Sequence, residues 1–155
     1  MKTLLRFSAI FLLYLIGVSC SSHNDTPYTP VMVTFAADLT PVAGTGSMAH
    51  GNATLTLNQD AKTFQITVTY TGITPNHGHI HGADGAIVFP FPDAVVATSP
   101  IMLNFNITDA QMAELMANHY YVNLHTIAFP AGEISGTLIK TGTSGGGGGG
   151  GGGGY

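Results

Sequence analysis

Apolar and polar side chains alternate along much of the chain between residues 31 and 140. The clearest case is residues 63–71, where four apolar side chains are separated by Gln and Thr, and residues 53–57 alternate in the same way. Alternation with a period of two is typical of a half-buried strand. The Asn-Gln-Asp segment at 58–60 separates the two stretches, so together they predict a β-hairpin.

One segment departs from this alternation and predicts a helix. Thr108 is followed three residues later by Gln111, which is the pattern of a capping box. Met112, Leu115 and Met116 then recur at helical spacing. With apolar segments and turn residues elsewhere at intervals of about ten residues, the chain is predicted to be all-β, an antiparallel Greek-key β-sandwich of about eight strands with one short helix.

The two ends of the chain differ from the alternating part. Residues 4–18 are nearly all apolar and lead to Cys20, and Lys2 and Arg6 form a charged start, as in a bacterial lipoprotein signal whose cysteine is diacylated. The alternative is an ordinary signal peptide that is cut nearby. The predicted segments are a lipoprotein-type signal peptide over 1–20, a polar tether over 21–30, a β-sandwich domain over 31–140 and a disordered glycine-rich tail over 141–155.

This organisation predicts a location and a membrane partner. The protein is expected to cross the inner membrane and to remain in the cell envelope, anchored to a bacterial membrane by lipid on Cys20. Cys20 is the only cysteine, so no intramolecular disulfide can form.

Charge excludes one class of partner. Charged residues make up 8% of the chain, against about 25% in average proteins. Without the first nineteen residues, two lysines face eight acidic residues and the formal charge is −6. A chain with two lysines and no arginine has no surface for nucleic acid.

Histidines are concentrated in one short segment, Asn-His-Gly-His-Ile-His at 76–81. In an extended chain His77, His79 and His81 share one face. His125 lies on the polar face of a second predicted strand. If the two strands pair, His79, His81 and His125 converge. Neutral imidazoles are common metal ligands, so these three residues are candidate ligands for copper or zinc.

Other residues extend this candidate site or argue against it. His77, His50 and Glu133 are candidates for additional ligands, and Glu133 can alternatively orient a ligand imidazole or pair with a backbone amide or a surface group. In a purely structural alternative, His81 and His125 donate hydrogen bonds to backbone carbonyls and pin the sheet.

Two blocks of the sequence are similar to the signature blocks of the CHRD domain, which is named from chordin. They are Gly-His-Ile-His-Gly-Ala-Asp-Gly at 78–85, and Tyr-Val-Asn-Leu-His-Thr at 121–126 with Pro-Ala-Gly-Glu-Ile-Ser-Gly at 130–136. The chain resembles the family over about residues 31–139. Ser135 stands where the family usually has arginine, so no role of that arginine is carried over. The resemblance implies a small all-β extracytoplasmic domain and no particular activity.

Three functions follow from these observations. The first is a lipid-anchored extracytoplasmic module that binds an unassigned ligand or protein partner, and the second is a histidine-based copper or zinc protein. The third is an enzyme, because the His-x-His pattern in a sandwich is also similar to copper–zinc superoxide dismutase. The chain lacks a disulfide pair, an arginine outside the signal, a nucleophile elbow and a phosphate loop. We therefore predict that it is not an enzyme.

Overall fold

The computed structural model describes residues 27–146, so the predicted signal peptide, Cys20, most of the tether and the end of the tail lie outside the described residues. The described residues form nine strands and two helices. Their bounds are β1 Met32–Pro41, β2 His50–Asn58, β3 Thr63–Thr71, β4 His77–His81, β5 Ile87–Pro90, α1 Asp93–Val96, β6 Ile101–Asn106, α2 Asp109–Met116, β7 Tyr121–His125, β8 Ile134–Thr137 and β9 Ile139–Ser144.

Every strand pairing is antiparallel, and the strands form two sheets that join at one end of β1. The order of the first sheet is β9-β1-β2-β3-β6, and that of the second is β5-β4-β7-β8. The join is made where Thr40 and Pro41 pair with Ser135 and Ile134. The chain leaves the first sheet after β3, forms β4 and β5, and returns to place β6 beside β3. Such a crossover between sheets is typical of a Greek-key sandwich.

One hydrophobic core lies between the two sheets. The alternating residues predicted from β3 enter it, and Ile66 and Val68 are completely buried. Phe64 of β3 meets Phe89 of β5 edge to face, with ring centroids 4.9 Å apart, so side chains from both sheets interdigitate. The prediction of an all-β sandwich is confirmed, with nine strands in the described residues where about eight were expected.

The predicted helix is confirmed as α2. Its N-terminus has both bonds of a capping box, with Gln111 N donating to Thr108 Oγ1 at 3.2 Å and Thr108 N donating to Gln111 Oε1 at 2.9 Å. Leu115 is completely buried, which fastens the helix to the core. The prediction missed α1, a single turn that follows Pro92. Neither helix is long and apolar enough to cross a membrane.

The tail begins later than predicted. β9 extends to Ser144, and its last residues Thr143 and Ser144 pair with Val33 and Met32 of β1. Five of the six β9 side chains are exposed, so the strand is joined to β1 mainly through its backbone and carries no alternating apolar pattern.

The described end of the tether lies beside the turn that follows β2. Val31 N donates a hydrogen bond to Asp60 Oδ2 at 2.7 Å, and Val31 O accepts one from Gln59 N at 3.0 Å. Thr29 O accepts a bond from Gly146 N at 3.1 Å. The chain therefore enters the sandwich at the end where β1 begins.

Gly136 of β8 lies directly against the backbone of β1, because a Cβ atom there would meet the carbonyl oxygen of Asp38. We expect Gly136→Ala to lower the free energy of unfolding by about 1–3 kcal/mol, since the strands must shift to admit the methyl group. Urea unfolding measures the change. Gly142→Ala is the matched control, because its Cβ would meet the Thr34 hydroxyl at 3.1 Å and no backbone atom. An equal loss in both variants would contradict this expectation.

Candidate metal centre

The candidate site is built on the pairing of β4 with β7. The two strands run antiparallel, with His79 opposite Asn123, Ile80 opposite Val122, and His81 opposite Tyr121. Ile80 and Val122 are completely buried and point into the core. Because side chains alternate across a strand, the histidines of β4 and the polar residues of β7 share the outer face of this sheet. The expected pairing of the two histidine-bearing strands is therefore present.

Three of the predicted ligands come together on that face. Among the described residues, His79, His81 and His125 form a group in which one possible ligand atom from each lies within 4.8 Å of the others. The ring centroid of His79 is 5.3 Å from that of His81 and 4.9 Å from that of His125. His79 Nδ1 and His125 Nε2 are hydrogen-bonded at 3.1 Å.

Backbone carbonyls set the tautomers of the two buried imidazoles. His81 Nδ1 is 2.9 Å from Gly85 O, and His125 Nδ1 is 3.0 Å from Pro130 O. A carbonyl oxygen only accepts, so in both neutral rings the proton is on Nδ1 and the lone pair is on Nε2. Metal-ligating histidines commonly have this arrangement, in which the other ring nitrogen donates to a carbonyl.

His81 has one nitrogen that the sheet does not use. Its side chain is 7% exposed, and its Nε2 is buried with no hydrogen-bond partner in the described part of the chain. A buried lone pair without a partner lowers stability unless a ligand satisfies it. The predicted carbonyl bonds of the structural alternative are present, but they involve Nδ1 alone and leave this atom unexplained.

Two tight loops supply the carbonyls. The turn after β4 is closed by Gly85 N donating to Gly82 O at 2.9 Å, and Gly85 has a φ of +82°, which favours glycine. The loop 126–133 after β7 is closed by a bond of 2.8 Å from Glu133 N to Leu124 O. Both loops follow directly on a histidine-bearing strand, so each carbonyl is positioned by residues close in sequence.

The surroundings of the group favour neutral imidazoles. Burial lowers the pKa of His79 to about 4, and the nearby rings of His125, His81 and His77 contribute to this shift. Burial also lowers the pKa of His125, although the hydrogen bond to Pro130 O opposes the change. At neutral pH both rings are therefore unprotonated, which is the form that binds a metal ion.

The three additional ligands that the sequence suggested lie outside this group. His77 Nδ1 pairs with Asp93 Oδ1 at 2.8 Å. His50 is exposed at the start of β2, where Nε2 is 3.2 Å from Thr71 Oγ1. One ring nitrogen of His77 is therefore paired with Asp93, and one ring nitrogen of His50 is paired with Thr71.

Glu133 is a structural carboxylate in this fold. Its side chain is 8% exposed, and its two oxygens accept hydrogen bonds from Ser47 Oγ at 2.7 Å and from Thr126 Oγ1 at 2.6 Å. It thereby links the loop before β2 to the loop 126–133, which carries the Pro130 carbonyl. Its contribution to the histidine group is indirect, through this loop.

Two neighbours of the histidine group were not identified as site residues. Tyr121 stacks on His81 with ring centroids 5.1 Å apart, and Asn123 Nδ2 donates to Ala131 O at 3.2 Å. Both alternate with His125 along β7 and so share its face. That spacing is the signal that could have identified them.

Most of the domain matches one known family. Residues 35–138 match the CHRD domain family. The chain belongs to this family. The matched region runs from β1 to the residue before β9, and it contains all three histidines of the group. No curated protein and no solved structure matches the chain significantly.

The donor set of this CHRD domain fits a transition-metal ion. Two ligand nitrogens of one tetrahedral ion are about 3.3 Å apart when each metal–nitrogen bond is about 2.0–2.1 Å. His79 Nδ1 and His125 Nε2 lie 3.1 Å apart, and the whole group lies within 4.8 Å. Because His125 Nε2 accepts this bond, His79 Nδ1 carries a proton, which would move to Nε2 of the same ring if Nδ1 became a ligand. Side-chain shifts of roughly 1–1.5 Å would bring three nitrogens to bonding distance of one ion. The unpartnered His81 Nε2 would gain a ligand in the process.

The lowered pKa of His79 predicts how the metal-free protein responds to acid. The unfolded chain protonates this residue near pH 6.5, whereas the folded protein resists protonation to about pH 4. Between these values the unfolded state binds more protons, so the free energy of unfolding falls as the pH falls. We expect His79→Gln to make this fall shallower, measured by urea unfolding of chelator-treated protein. Identical slopes for His79→Gln and the original chain would refute this account.

Proposed function

We propose that this CHRD domain is a binding module whose ligand is one transition-metal ion, zinc or copper, held by His79, His81 and His125. The observation that carries the proposal is His81 Nε2, which is buried and has no hydrogen-bond partner within residues 27–146, beside the hydrogen-bonded pair of His79 and His125. Asn76 Oδ1 and Asn123 Oδ1 are also buried without a partner within residues 27–146, but His81 Nε2 is the one of these three atoms that belongs to the group of three imidazoles.

The type of donor supports a transition metal, such as zinc or copper, over calcium and magnesium. Calcium and magnesium prefer oxygen donors, and the group consists of imidazoles alone. Imidazole suits zinc, copper, iron and nickel, and among divalent first-row ions copper generally binds most tightly.

The prediction that the domain is not an enzyme is untested and stays a prediction.

We further propose that the domain is held at a membrane by lipid on Cys20, outside the cytoplasm. β1 begins beside the tether at Met32 and ends at Pro41 opposite Ile134. The histidine group lies toward the second end, since Leu124, next to His125, also pairs with Ile134. At about 3.3 Å per residue, the length of β1 would hold the site roughly 25–30 Å from the point where the tether joins. An anchored domain would thus carry its metal site at the end of β1 opposite the tether.

Metal titration tests the first proposal. The protein, purified without an affinity His tag, should take up about one zinc or copper ion per chain by mass spectrometry. Binding at a ligand concentration of about 100 times Kd stabilises a protein by about 2.7 kcal/mol, which raises Tm by roughly 10 °C in a domain of this size. We expect both effects to be lost in the double variant His79→Ala/His81→Ala, and stoichiometric binding to be lost in His79→Gln.

Two variants separate loss of ligands from loss of folding. His79→Gln changes a partly exposed side chain and should retain the cooperative unfolding of the metal-free protein. His50→Gln removes a histidine outside the group and should retain both the bound metal and the rise in Tm. If the original chain takes up no stoichiometric metal and its Tm does not rise, the proposed metal site is wrong.

Fractionation of bacterial cells tests the lipid anchor. We expect the original chain to incorporate labelled palmitate and to sediment with membranes, because acyl chains on the cysteine partition into the bilayer. Cys20→Ser should abolish the label and release the protein from the membrane fraction. Ser21→Ala is the control, since it leaves the thiol in place. Equal labelling of the Cys20→Ser variant and the original chain would disprove acylation at this residue.

A further inference from the structure

We propose that a metal ion bound by His79, His81 and His125 keeps a fourth coordination position, and that this position takes a small monodentate anion from solution. This inference rests on the proposed metal site and names the class of ligand that the site would receive. It differs from a structural metal site, in which the chain itself supplies all four ligands.

The chain supplies three donors at this point. Within residues 27–146, His79, His81 and His125 are the members of the only group of histidine, cysteine, aspartate or glutamate side chains close enough to hold an ion. Three histidines with an open fourth position are the ligand pattern of sites at which zinc binds water or substrate. The fourth ligand would therefore come from outside the described protein.

The nearest further histidine is held by another contact. His77 Nδ1 pairs with Asp93 Oδ1 at 2.8 Å, and its ring lies parallel to that of His79 with centroids 6.5 Å apart. To become the fourth ligand, His77 would have to approach the group. This residue is the strongest competitor for the fourth position, and the test must exclude it.

The carboxylates near the group are also engaged. Glu133 accepts from Ser47 and Thr126, and Asp93 pairs with His77. Asp84, in the turn after β4, accepts a hydrogen bond of 3.0 Å from Ala86 N. None of these carboxylates belongs to the group of potential ligands within the described residues.

The charge of the loaded site favours an anion. Neutral imidazoles contribute no charge, so a divalent ion with three such ligands retains its charge of +2. Opposite charges attract far more strongly at a partly buried position than in bulk water. An anion that replaces a water molecule on the ion forms one metal–ligand bond while one such bond breaks, and no electrons are transferred.

The exposure of the three rings indicates where an anion would enter. His81 and His125 are each 7% exposed, whereas His79 is partly exposed. Tyr121 stacks on His81, and the loop 126–133 contacts His125 through the Pro130 carbonyl. Solvent can therefore reach the group from the side of His79.

Cobalt(II) spectroscopy with azide tests this inference. Cobalt(II) accepts the same imidazole ligands, and its visible bands respond to the number and type of its ligands. We expect the cobalt-loaded protein to change its visible spectrum as azide is added, with saturation at one azide per cobalt. His77→Gln should show the same change, with the azide dissociation constant altered by less than about twofold, as for an independent site.

The outcomes distinguish this inference from the metal proposal on which it rests. If cobalt binds stoichiometrically but azide changes the visible spectrum of neither the original chain nor His77→Gln, the fourth coordination position does not accept an anion and the inference is wrong. If only His77→Gln responds to azide, His77 fills the fourth position and the inference is again wrong. If the original chain binds neither cobalt, zinc nor copper, the metal proposal itself fails. The inference is supported if azide changes the visible spectra of the cobalt-loaded original chain and of the control variant His50→Gln in the same way. His79→Gln, which lacks one ligand, should then bind no cobalt.

Discussion

The candidate site depends on the register between β4 and β7. Ile80 of β4 and Val122 and Leu124 of β7 point into the core and are completely buried. Burial of each such side chain stabilises the fold by about 1.5–3 kcal/mol, so three of them contribute an amount comparable to the whole stability of a typical domain. A slip of one residue would move these side chains to the outer face and the histidines into the core. The apolar face of this strand pair thus holds the imidazoles of the other face in place.

The loops that follow β4 and β7 determine which ring nitrogen of His81 and His125 carries the proton. A strand determines which face a histidine occupies, but not which nitrogen carries its proton. Gly85 and Pro130 contribute carbonyl oxygens that hold the protons of His81 and His125 on Nδ1. Buried Glu133 links the loop 126–133 to Ser47, in the loop between β1 and β2. Stability of the sandwich and orientation of the candidate ligands therefore depend on the same contacts.

Local patterns predicted the elements that have strong local causes. The alternation in β3 and the capping box of α2 are visible in the chain because a half-buried strand and a helix N-terminus each need particular residues at particular spacings. The part of β9 beyond residue 140 and the helix α1 were missed for the opposite reason. β9 is exposed and pairs mainly through its backbone, and α1 is a single turn among prolines with one buried residue, Val96.

The sequence by itself determined the all-β class, the family and the two histidine-bearing strands, because period-two alternation and the short motifs are local properties. Only the tertiary structure decided which histidines meet. His50 and His77 are the same residue type as His79, yet one pairs with Thr71 and the other with Asp93. Tertiary packing also buried His81 Nε2 without a partner among the described residues, since burial depends on residues far apart in the chain. Local spacing can place a side chain on a face, whereas its neighbours across the sheet follow from how the strands pair.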